Sequence, residues 1–170
     1  MSTGELLTRW TIRGALTLYV LGLALRMGAA GRPVWLRWAR RAWAAGCFAF
    51  LLRMFCAFAF FHAWSHQAAY EATARQTAEV VGLAWGGGLY ANYAFAVVWC
   101  ADAFWWVGWP QRYLARPRAV EWMVQGFLPF IAFNATVVFG AGAVRWMGLA
   151  AALLLVALVS YTNRPSRWLP

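Results

Sequence analysis

Residues 42–63 read AWAAGCFAFLLRMFCAFAFFHA and residues 85–108 read WGGGLYANYAFAVVWCADAFWWVG; each long run holds a single formal charge, Arg53 in the first and Asp102 in the second. A helix needs ~20 mostly apolar residues to cross the hydrocarbon core of a bilayer, and both runs meet that length. Two further apolar segments follow at about 121–139 and 145–161. The whole chain of 170 residues is 64% hydrophobic and 12% charged, whereas a soluble domain is roughly half apolar and about a quarter charged. A water-soluble fold of this size has too little interior to hide so much apolar surface. The expected fold is therefore all-α, a polytopic transmembrane bundle of four or five spans with short loops, forming one integral-membrane domain over residues 1–170.

The span count turns on residues 10–30. Only GALTLYVLGLAL separates Arg13 from Arg26, which is too short to cross by itself. Either both arginines snorkel to opposite interfaces and the segment spans, or the helix lies in the interface. At the other end, residues 121–161 as one helix would run ~60 Å, about twice the hydrocarbon thickness. Gly140 and Gly142 in GAGAV predict a tight reversal there. The N-terminal run has Arg at both ends and no distinct small-residue cleavage site, so it is expected to be retained.

All 15 basic residues are arginine, and the formal net charge is +10. They lie between apolar segments and form no basic face, which argues for lipid head groups and against nucleic acid. Arg26, Arg32, Arg37, Arg40 and Arg41 share one loop, Arg112, Arg116 and Arg118 a second, and Arg164 and Arg167 the tail; Arg9, Arg13, Arg75 and Arg145 fall on the other side. The positive-inside rule makes the richer side cytoplasmic. Residues 31–41, 109–120 and the C-terminus are then cytoplasmic, residues 64–84 face outward, and the expected location is the cytoplasmic (inner) membrane. Trp35, Trp38, Trp43, Trp105, Trp106, Trp109 and Trp122 are expected to form a belt on the cytoplasmic side, with Trp64 and Trp85 opposite. Cys47, Cys56 and Cys100, an odd set within apolar runs, read as small buried hydrophobes.

The most polar stretch is FHAWSHQAAYEATARQTAE, residues 61–79. With no proline from 34 to 109, the second apolar run is expected to continue as helix over 64–81 and stop at Gly82. On such a helix His62, His66, Tyr70, Thr73 and Thr77 form one stripe, and Glu71, Arg75 and Glu79 a separate ion-pair ladder. His62 and His66 at i, i+4 could aim two imidazoles at one metal ion. A third protein ligand is not evident, and one helix cannot supply both axial ligands of a haem. No cofactor is therefore predicted, with a divalent metal or haem kept as the alternative.

Polar groups inside a membrane carry a cost and mark sites or helix-locking contacts. Asn92 and Asn134 lie at similar depth, and with Tyr90 and Tyr93 they define a candidate polar pocket. Arg53 and Asp102 are expected to form an intramembrane ion pair. No phosphate-binding loop, Ser–His–Asp order, CxxC or inverted repeat occurs. The expected function is that of a small accessory or interaction subunit whose outward helix end engages a protein partner, a second copy, or a small ligand. The competing readings are a redox or cofactor protein using His62 and His66, and a small transporter or channel using Arg53, Asp102, Asn92 and Asn134.

Overall fold

Among residues 3–29 and 31–162, which the computed structural model describes, every regular element is helical. The order is α1 (Thr3–Met27), α2 (Pro33–Phe61), α3 (His66–Val81), α4 (Gly88–Gly108), α5 (Pro110–Leu114), α6 (Arg118–Phe133), a π turn (Asn134–Val138) and α7 (Ala143–Thr162). Arg164 and Arg167, expected on the cytoplasmic side, lie outside the described residues.

α1 and α2 form a hairpin. Arg32 N–H donates to the Ala29 carbonyl at 2.7 Å, and Pro33 opens α2 at a first-turn position where its missing N–H costs nothing. α4 packs on α2, and α6 and α7 close the bundle beside α4 and α1. The centre is aromatic: ring centroids lie 5.2 Å apart for Tyr19–Trp43, 5.4 Å for Trp43–Trp99 and 4.8 Å for Phe50–Phe95. These tilted and edge-on spacings are the favourable ones for aromatic pairs. Gly46 makes room for them, because a Cβ there would stand 3.0 Å from the Trp99 ring and 3.2 Å from Leu18. Trp43 and Trp106 are 1% and 2% exposed; they belong to this core and not to the expected cytoplasmic belt. Cys47 and Cys56 are buried free thiols.

The chain reverses between α6 and α7 at residues 140–142, with Gly142 at φ +55°. Pro129 inside α6 removes one backbone donor, and the helix loosens into the π turn one turn later. The last carbonyls of that turn are not left bare, since Arg145 Nε donates to the Val137 carbonyl at 3.0 Å.

The expected continuous helix over 42–81 does not form. α2 stops at Phe61, and Ala63 and Trp64 both take positive φ, 45° and 61°. The Ser65 side chain then accepts from Ala68 N–H at 3.2 Å and starts α3 as a new, capped helix. Gly82 closes it in the left-handed conformation, its N–H donating to the Ala78 carbonyl at 2.9 Å.

The surface inverts the usual soluble pattern. Phe48, Phe104, Met123 and Leu153 are 68–74% exposed, while Asp102 and Arg116 are buried. By length and composition, α2 and α7 are the helices among the described residues long and apolar enough to cross a membrane. The two ends of the bundle also differ. One gathers Arg26, Tyr113, Asp102, Arg116 and Glu121. The other carries α3, whose Gln76 Nε2 donates to the Phe139 carbonyl at 3.2 Å beside the α6–α7 reversal.

Candidate functional site

α3 lies across the first turns of α4 because the glycines of WGGGLYANY let it. A Cβ on Gly86 would overlap the Tyr70 ring and carbonyl, and one on Gly88 would stand 3.2 Å from Thr73 Cγ2. This contact brings His66 to two tyrosines of α4. Its Nδ1 is 3.2 Å from the Tyr93 hydroxyl and its Nε2 3.5 Å from the Tyr90 hydroxyl. A neutral imidazole can donate from one nitrogen and accept at the other, so either tautomer suits the pair. The His66 ring sits 5.8 Å from Tyr90 and 5.9 Å from Tyr93, and Tyr70 flanks Tyr90 at 6.2 Å. His66 and Tyr90 are exposed.

His62 is not part of this cluster. It caps α2 and stacks edge-on against Phe58, 5.7 Å away. The backbone break at Ala63–Trp64 puts the two histidines on separate elements, which removes the i, i+4 geometry of the expected metal pair. Among the described residues no group of three or more His, Cys, Asp or Glu side chains could hold a metal ion. Thr73 and Thr77 keep to themselves, bonding back to the Ala69 and Thr73 carbonyls at 2.9 Å. The expected Glu71–Arg75–Glu79 ladder does not close: Glu71 instead accepts from Gln67 Nε2 at 3.0 Å, and the ion pairs among described residues are Arg26–Glu121 and Arg116–Asp102.

Asn92 and Asn134 do approach a common space, but with Arg53 and not with Tyr90 and Tyr93. They line a cavity of about 320 Å³ together with Thr73, Gln76, Thr77 and Thr136. Asn134 Nδ2 donates to the Phe130 carbonyl at 2.8 Å. Arg53 Nε is buried and has no hydrogen-bond partner.

The expected Arg53–Asp102 pair does not form. Asp102 accepts from Arg116 Nη1 at 2.5 Å, from the Tyr113 hydroxyl at 2.9 Å and from Trp43 Nε1 at 2.9 Å. The reason is depth. Arg53 lies ten residues beyond Trp43 on α2, ~15 Å further along the axis, out of reach of a carboxylate that Trp43 already touches. Burial, and then the adjacent Asp102 carboxylate, push the Tyr113 hydroxyl well above its ordinary value, so it remains a donor. Tyr113 escaped the sequence reading, Trp43 entered it only as a belt residue and Arg116 only as a loop charge. The available signal was an arginine in the loop directly after the Asp102 helix, closer in depth than Arg53.

The structure thus sorts the candidate residues into a His66–Tyr90–Tyr93 cluster with Tyr70 beside it, an Arg53–Asn92–Asn134 cavity, and an Asp102 network at the end of the bundle opposite the cluster. Compared with known proteins, the chain matches no family model, no curated protein and no solved structure.

Proposed function

We propose that the chain is a multi-pass inner-membrane accessory protein whose outward end docks a partner. In this reading α1, α2, α4, α6 with its π turn, and α7 are five spans, and α3 is an outward cap. The pattern of exposure supports the placement: large apolar side chains ring the helices while Asp102 and Arg116 are paired inside. α1 has 25 residues, ~37 Å of helix, and joins α2 as a full-length hairpin partner, which favours five spans over four. The arginine-rich end, with the loops 31–41 and 109–120, is cytoplasmic on this reading.

The observation that carries the docking role is the His66–Tyr90–Tyr93 cluster. Its His66 and Tyr90 are exposed and its Tyr93 half-buried. His66 stands on the doubly capped α3 and the tyrosines on α4, and together they offer aromatic faces with hydroxyl and imidazole groups, the chemistry enriched where partners bind. Trp64 and Trp85 flank it, 61% and 57% exposed. A photo-crosslinking amino acid placed at Tyr90 in native membranes should give one discrete higher-mass protein adduct, and His66→Ala should reduce it. The same probe at Met123, on the apolar perimeter, should give none. Equal adducts at both positions, or none at Tyr90, would remove the docking role and leave the tyrosines as interfacial anchors.

A further inference from the structure

Among the described residues Arg53 is a cation with no counter-charge. It belongs to neither described ion pair, its Nε has no partner, and no acid lines the cavity it faces. The chain has five acids in all. Asp102 and Glu121 are held at the opposite end by Arg116 and Arg26, and Glu71 and Glu79 are exposed on α3. Glu5 lies in the first turn of α1, ~10 Å of helix rise from Ile12, the α1 residue that reaches the cavity. The Asn92 amide also makes no hydrogen bond with described residues, and it faces the same space. An arginine whose Nε is buried without a partner and an amide on the wall of the same cavity suit a phosphate or carboxylate, since a lone charge inside a membrane is costly.

The surroundings add a second property. The polar cavity reaches from Arg53 to α3 and the Gly140 reversal at the outward end. On its inner side it shares Asn92, Ile131 and Thr136 with a narrow apolar space of about 40 Å³. That space in turn shares Leu16, Tyr19 and Thr136 with an apolar groove of about 320 Å³ between α1, α6 and α7, walled by Phe133, Ala152 and Leu155. A polar chamber holding this cation thus adjoins, across shared walls, an apolar groove between α1, α6 and α7.

We infer that this composite site binds an anionic amphiphile, its phosphate or carboxylate head on Arg53 and Asn92 and one acyl chain in the α1–α6–α7 groove. The site is separate from the His66 docking face and is read in detergent, so its test does not depend on the orientation or span count. The protein purified in a neutral detergent is exposed to equal amounts of phosphatidic acid and phosphatidylcholine, and bound lipid is counted by native mass spectrometry. Phosphatidic acid should be retained at one equivalent in preference to phosphatidylcholine. Arg53→Gln should lower that retention about tenfold or more, the scale of one lost charge-assisted contact, and exposed Arg75→Gln should leave it unchanged. Ala152→Trp, which fills the groove without touching the charge, should also lower it, and it decides the matter if Arg53→Gln does not fold. Undiminished retention in a folded Arg53→Gln protein, or equal uptake of phosphatidylcholine, would overturn the head-group assignment. Displacement by inorganic phosphate at the concentration of the lipid, or undiminished retention by Ala152→Trp, would overturn the acyl-chain assignment.

Discussion

Asp102 draws three donors from three places in the chain: Trp43 on α2, Tyr113 on α5, and Arg116 in the turn before α6. The side chains of Arg116 and Asp102 are 1% and 2% exposed, so solvent does not weaken their attraction. The Arg116 guanidinium also lies over the Tyr113 ring at 4.1 Å. Removing one partner of a buried pair leaves the other charge stranded, at a cost of roughly 3–5 kcal/mol. Asp102→Asn or Arg116→Met should each cost that much in the unfolding of the detergent-solubilised protein, followed by tryptophan fluorescence. The double variant Asp102→Asn/Arg116→Met should recover most of the loss, because it removes both charges at once and keeps an acceptor for Trp43 and Tyr113. A double variant as unstable as the sum of the singles would show that the pair does not act as a unit. Asp102 was legible as a buried charge in need of a partner. Its partner was not, since sequence depth places Arg116 in a loop and says nothing of that loop folding back over the helix end.

At the scale of elements, α3 is the piece whose placement most depends on a few backbone details. Apolar periodicity and the lack of proline ran α2 straight into it, and nothing in Ala63 or Trp64 announces positive φ, a conformation that most non-glycine residues avoid. Ser65 was the one local signal, a preferred N-cap residue ahead of a helical run. Gly82 was read correctly as a stop because glycine alone takes φ +76° freely. These caps make a quantitative expectation. Ser65→Ala should cost about 1 kcal/mol, and Gly82→Val should cost roughly 1–2 kcal/mol from the left-handed backbone. The loss should be local: hydrogen exchange should speed up for α3 amides in both variants while α2 and α4 keep their protection. Uniform acceleration across the bundle would mean that α3 is a structural keystone and not a separately docked cap.

Across the whole molecule, the asymmetry between the ends follows from the chain's direction changes. Each long helix carries the backbone from one end to the other, so the Arg26–Glu121 and Asp102–Arg116 pairs collect at one end and α3 with the α6–α7 reversal at the other. Gly4 packing against Phe60 places the start of α1 at the α3 end. If α1 spans, that start must therefore share the compartment of α3. Single cysteines introduced into a variant lacking Cys47, Cys56 and Cys100 test this with a membrane-impermeant maleimide on intact cells. Gln67→Cys on α3, Ala141→Cys in the reversal and Leu6→Cys on α1 should all be labelled from outside. Gln111→Cys on α5 should react only after permeabilisation. Labelling of all four without permeabilisation would remove the membrane placement, and the opposite pattern would keep five spans but invert the orientation. Leu6→Cys protected while Gln67→Cys reacts would leave α1 in the interface and reduce the bundle to four spans.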